Sequence, residues 1–217
     1  MKIITLKIYL LFFIATLYGC TAKDESTYKI SNSIDSSFLQ HYDKSVRDDK
    51  WLLNLGGKND DSSQLVKKYS DYRRNNLAIL YIYYVDSTGK STGSINDSAF
   101  GLCQCKKVND TIEISAAFGF FGGYGISIKI KGEEYAGEFS EHAKDALFAA
   151  TANQINYTTD ITVGQENQKL ILSKKLDFVA AGNLFGQYEG LFKPYFERNV
   201  GTKMIRQKVK LIFKCTL

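Results

Sequence analysis

Four cysteines, Cys20, Cys103, Cys105 and Cys215, are the most reactive side chains in this sequence of 217 residues. Cys103 and Cys105 are two residues apart, so on an extended strand both point to one face. Outside the cytoplasm, either could form a disulfide with Cys215 and leave one thiol over. The alternative keeps all three as buried thiols that pack as small hydrophobes. A zinc site is not indicated, because Cys-x-Cys without a nearby histidine lacks a fourth ligand and the usual spacing. No other metal or cofactor motif stands out.

A second group with chemical capacity is the run from Phe118 to Gly125, FGFFGGYG. Its glycines permit positive φ and close approach of the backbone to a ligand. Its aromatics could form an apolar platform, which makes Phe120, Phe121 and Tyr124 the candidate ligand-binding residues. The competing reading is a bent hairpin whose rings fold back into the core. Acid–base chemistry has weaker support. Glu133, Glu134, Glu138, Asp177 and Glu189 would need two carboxylates placed across a sugar, and on strands they read as charges of a wet face. His142 lies in EHAKD with no nucleophile elbow elsewhere, so it reads as a solvated histidine. These patterns favour a non-catalytic protein.

The elements that must position these groups are mostly strands. Fourteen Tyr and fourteen Phe with a single proline, Pro194, favour extended structure. From Leu77 onward the period is two. LAILYIYYV (77–85) is apolar on both faces, as a strand buried on both sides requires. Ile112, Ile114, Ala116 and Phe118 alternate with polar or small residues, as do Ile126, Ile128 and Ile130, and Tyr135, Gly137 and Phe139. Val209, Leu211, Phe213, Cys215 and Leu217 oppose Lys208, Lys210 and Lys214. Turn residues such as those at 86–90 separate these runs. The expected fold is mainly β: an antiparallel sandwich or barrel-like domain of about eight strands over 77–217. Between 36 and 76, Phe38, Leu39, Tyr42, Val46, Trp51, Leu52 and Leu55 recur at spacings of three and four, predicting a short, weakly helical segment.

The N-terminus carries an address. Lys2 and Lys7 precede an uncharged apolar run from Ile8 to Tyr18, which is too short to span a bilayer. It ends in Leu17-Tyr18-Gly19-Cys20, which resembles the lipobox of bacterial lipoprotein precursors. The resemblance implies a signal peptide over 1–19 and a Cys20 that carries diacylglycerol and an acylated (palmitate-like) amine. Residues 20–35 then read as a flexible tether. Lys23-Asp24-Glu25 resembles the lipoprotein export signal of Bacteroidota, implying the outer membrane and its cell-surface face, with the periplasmic face as the alternative. The stretch from Lys169 to Leu217 is similar to small β-rich surface lipoproteins of that group. That similarity implies a fold class and an address, not an activity.

Formal charge is +5, falling to +3 once Lys2 and Lys7 leave with the signal peptide, which gives no footprint for nucleic acid. The row Lys203, Arg206, Lys208, Lys210 and Lys214 reads chiefly as protection of a strand against edge-to-edge pairing. The expected partners are the membrane, through the lipid anchor, and a glycan, peptide or protein ligand. The expected function is a membrane-anchored envelope binding module. The alternative is an envelope inhibitor or immunity-type protein that neutralises an enzyme or toxin.

Overall fold

A computed structural model describes residues 27–31, 33, 34, 40, 75–86, 88–119, 122–176, 182–199 and 201–217, with the side chains of 94–100, 199, 201 and 202 left aside. The signal peptide, Cys20, the Lys23-Asp24-Glu25 signal, Phe120, Phe121, Asp177 and all but three residues of the 36–76 segment lie outside the described residues.

Twelve strands are described: β1 (Lys29–Ile30), β2 (Leu77–Val85), β3 (Ser91–Val108), β4 (Thr111–Phe118), β5 (Gly123–Lys131), β6 (Glu134–His142), β7 (Phe148–Ala149), β8 (Asp160–Leu172), β9 (Asn183–Phe192), β10 (Tyr195–Asn199), β11 (Gly201–Ile205) and β12 (Gln207–Thr216). Eight of them close into an antiparallel barrel, in the order β2-β3-β4-β5-β6-β8-β9-β12, with β12 returning to pair with β2. The alternation seen in the sequence becomes the inside and outside of this wall. Ala78, Leu80 and Ile82 on β2 face inward, with Ile112, Ile114 and Ala116 on β4 and Ile126, Ile128 and Ile130 on β5. Val209, Leu211, Phe213 and Cys215 on β12 and Leu184 and Tyr188 on β9 complete the lining. The outer wall carries Lys129, Glu138 and Lys208, all exposed. An apolar interior inside a charged wall is the reverse of a lipid-embedded barrel.

Eight strands leave a lumen just wide enough for side chains, and here the middle of that lumen is filled by rings. Phe139 and Phe192 lie 5.5 Å apart and Tyr188 and Phe192 6.4 Å apart, centroid to centroid. Inward glycines make the room: a Cβ at Gly137 or Gly190 would collide with Tyr188, and one at Gly186 with Phe213. β2 is buried on both faces over its first half, as its two-sided apolar pattern requires. Leu77 and Ile79 point outward and are still covered: Leu77 packs with Ile212, Tyr81 and Phe185, and Ile79 lies opposite Ile212 in the ladder.

The barrel has two ends. At the first, the turns β3–β4 and β5–β6, the β8–β9 connection and the C-terminus meet. Here β6 and β8 part company, because β8 pairs with β6 only through Gly164 and then with β9 from Gln165 onward, across a bulge at Glu166. The side chain of Gln168 fills the gap: Gly137 N–H donates to its Oε1 at 3.1 Å, and its Nε2 donates to Tyr135 O at 3.0 Å. β1 lies in the same seam, parallel to β8, with Thr27 bridged to Glu134. A second gap opens where β2 begins, since β3 and β12 continue past Leu77. Asn76 occupies part of it, accepting from Cys103 N–H and Thr216 N–H. A disulfide between Cys105 and Cys215, Cα atoms 5.7 Å apart, ties β3 to β12 beyond it. The second end carries the turn at 86–90, the β4–β5 loop and a three-stranded cap, β11-β10-β7.

The Cys105–Cys215 bond closes a sequence separation of 110 residues. Chain-entropy reasoning gives about 4.7 kcal/mol for a loop of roughly a hundred residues, and measured values run lower. The Cys215→Ser variant is expected to lose about 2–4 kcal/mol of unfolding free energy. Urea denaturation with and without a reductant checks this, because reduction should erase the difference between variant and wild type.

Candidate polar site at the capped end of the barrel

The inward stripes change character as they reach the capped end. The β2 stripe Ala78-Leu80-Ile82 continues to Tyr84, the β5 stripe to Tyr124, the β6 stripe Tyr135-Gly137-Phe139 to Glu141, and the β12 stripe to Gln207. Period two alone places these side chains inside. Tyr84 and Gln207 are direct cross-strand partners. The cap adds Tyr195, which is buried and packs edge-on against Phe148 with centroids 5.9 Å apart. Its phenol donates a hydrogen bond to Glu141 Oε2. Glu197, on the same strand as Tyr195, completes the set.

These groups sense one another electrically. Burial, then the nearby carboxylates of Glu141 and Glu197, raises the Tyr84 phenol. Burial, again the leading cause, pushes Tyr124 up to about 12, with Glu141 adding to it. Tyr195 is pushed far above the ordinary phenol range by burial and by Glu141. Glu141 itself is raised from 4.5: desolvation outweighs the hydrogen bond from Tyr195, and Glu197 adds repulsion. From the cap, the Lys203 ammonium sits 5.6 Å from the centre of the Tyr84 ring. The neighbouring Arg206 pairs with Glu166 at the β8 bulge.

Gln207 is the exception within this network. It is 1% exposed, and neither its amide nitrogen nor its amide oxygen has a hydrogen-bond partner among the described residues. A buried primary amide left unpaired costs on the order of 1–3 kcal/mol. A donor and an acceptor are thus held side by side, directly across the ladder from Tyr84.

Among the described residues, those expected from the sequence to form a site lie in different places. Of the aromatic run, Phe118 is buried in the core, and Tyr124 is half-buried with its ring 5.8 Å from Phe139. The Tyr124 ring therefore packs against the interior, and the two phenylalanines expected beside it lie outside the described residues. Cys105 bonds to Cys215, and Cys103 is a fully buried free thiol whose acidity burial suppresses. Glu133, Glu134, Glu138 and Glu189 lie on turns or the outer wall and do not converge with the inward Glu141. His142 is exposed and pairs with Asp160 at 2.5 Å; hydrogen bonds from Thr159 and His142 hold the Asp160 carboxyl low. The basic row divides: Lys203 turns to Tyr84, Arg206 to Glu166, and Lys214 to Asn75 and the Phe185 ring. Tyr84, Glu141, Tyr195 and Gln207 do not stand out by residue type. Extending each inward stripe to the end of its strand finds three of them; Tyr195 carries no such signal.

Comparison of the chain with family models, curated proteins and solved structures finds no match in any of the three.

The raised Glu141 carboxyl gives the fold a pH signature. A carboxyl group whose folded pKa is raised stabilises the fold fully below its unfolded pKa, near 4.5, and loses that contribution as pH rises through the folded value. Thermal melts across this range should show wild type losing stability relative to Glu141→Gln as pH increases. Gln207→Leu should leave the fold intact and gain about 1–2 kcal/mol in urea denaturation, because an unpaired buried amide is replaced by an apolar group of similar size.

Proposed function

We propose that this chain is a membrane-anchored envelope lipoprotein whose barrel is a non-catalytic binding module, taking the end of a neutral glycan at its capped end. The observation that carries this reading is the unpaired, buried amide of Gln207 beside Tyr84. Planar amide and carboxyl groups next to aromatic rings suit a sugar, whose hydroxyls both donate and accept while its C–H face packs on a ring. Two carboxyl groups disfavour an anion, and Lys203 beside Tyr84 disfavours a cation. The rings that fill the lumen favour a ligand held at its capped end over a long chain threaded within the barrel.

The anchor gives this end a direction. Seven residue steps separate Cys20 from Thr27, a reach of about 25 Å at full extension. Thr27 joins the wall at the β5–β6 turn, opposite the cap. A lipidated Cys20 would hold the uncapped end against the bilayer and present the capped end to its surroundings. Lys23-Asp24-Glu25 supports display on the cell surface, with outer-membrane lipid as the first partner.

Calorimetry with a panel of neutral hexose and N-acetylhexosamine oligosaccharides tests the ligand. Saturable binding is expected, weakened at least about tenfold by Gln207→Leu, which is about 1.4 kcal/mol, and unchanged by Lys208→Ala on the outer wall. Equal binding by the Gln207 variant would remove the site. Absence of sugar binding, together with one stoichiometric protein partner recovered from envelope extracts, would replace the reading with the inhibitor alternative. Protease shaving of intact cells tests the address. Wild type should be cleaved and the variant with Lys23, Asp24 and Glu25 changed to alanine protected; protection of both would place the domain on the periplasmic side.

A further inference from the structure

The sulfur atoms of Cys103, Cys105 and Cys215 all lie within 4.8 Å of one another. Two are joined, and the third is a free thiol with no exposed surface. Cys103 and Cys215 belong to the apolar core. Three thiolates around a metal ion there would bury net negative charge without a counter-ion, which is costly. A disulfide plus a thiol is neutral whichever two sulfurs are bonded, so the cluster suits exchange better than coordination.

We propose that the staple is exchangeable, with Cys103 as the attacking thiol and Cys215 as the shared partner. The Cys103 thiolate attacks Cys215 Sγ; a Cys103–Cys215 bond forms and the Cys105–Cys215 bond breaks. Cys105 leaves as a thiolate and takes up the proton that Cys103 lost, so no oxidant or reductant is consumed. Cys215 is the better target because β3 and β12 already approach to 5.7 Å at this level. A Cys103–Cys105 bond would span two residues of one extended strand, about 6.6 Å, near the upper limit for a disulfide. The exchange moves the free thiol from fully buried Cys103 to half-buried Cys105 at the rim, where a solvent-borne thiol reagent can meet it. Burial of Cys103 makes the step slow and dependent on local opening where β2 begins.

The test is prolonged incubation of the folded chain with N-ethylmaleimide at mildly alkaline pH, then non-reducing digestion and mass spectrometry. The expected product carries the adduct on Cys105 and contains a Cys103–Cys215 linked peptide. An adduct confined to Cys103 with Cys105–Cys215 retained would overturn the proposal, as would no adduct on either residue when the denatured chain is labelled readily. In a second arm, Cys105→Ser is oxidised with glutathione disulfide. A Cys103–Cys215 bond is expected, and two persisting thiols in the folded variant would count against exchange. If that variant does not fold, the wild-type peptide map decides.

Discussion

The width of an eight-stranded lumen governs the rest of this molecule. Such a barrel admits one layer of side chains from each wall, and every inward position must be filled without overlap. Rings at Phe139, Tyr188, Phe192 and Phe213 fill it, and glycines at 137 and 186 give way opposite them. The apolar middle leaves no place for polar chemistry except where strands run out. Tyr84, Glu141 and Gln207 stand at those positions.

The two ends meet this constraint differently. Where β2 begins, Asn76 and the Cys105–Cys215 bond close the wall; where β6 and β8 separate, Gln168 and β1 do so. These devices are hydrogen-bonded or covalent, and they leave the uncapped end stitched. The other end is covered by β7, β10 and β11, which carry Tyr195 and Glu197 to the barrel and Lys203 to Tyr84. Polar groups there are assembled from several strands, and one of them keeps an unpaired amide. A fold that tolerates this cost at one position retains a feature that packing alone would have removed.

Much of the wall was legible because a period of two is a direct consequence of strand geometry. The stripes at 112–118, 126–130, 135–139 and 209–215 all became lumen. Whether the sheets form a sandwich or a barrel was not legible, since that depends on β12 pairing with β2, more than a hundred residues away. The partner of Cys215 was ambiguous for a local reason: Cys103 and Cys105 share a face, and the choice rests on where β2 begins. The polar site was hidden because apolar alternation stops where a stripe turns polar, whereas the wall continues. The short strands of the cap are too brief to show a period at all.

On the proposed reading, the inward polar groups of the capped end, Gln207 among them, receive a neutral sugar. The most direct measurement follows the side-chain amide resonances of Gln207 by NMR during titration with the neutral oligosaccharide that calorimetry ranks tightest. The account predicts saturable shifts of both amide protons, together with the rings of Tyr84 and Tyr124, while the uncapped end stays still. Saturable binding that leaves the Gln207 amide unmoved and perturbs the outer wall or the uncapped end instead would contradict it.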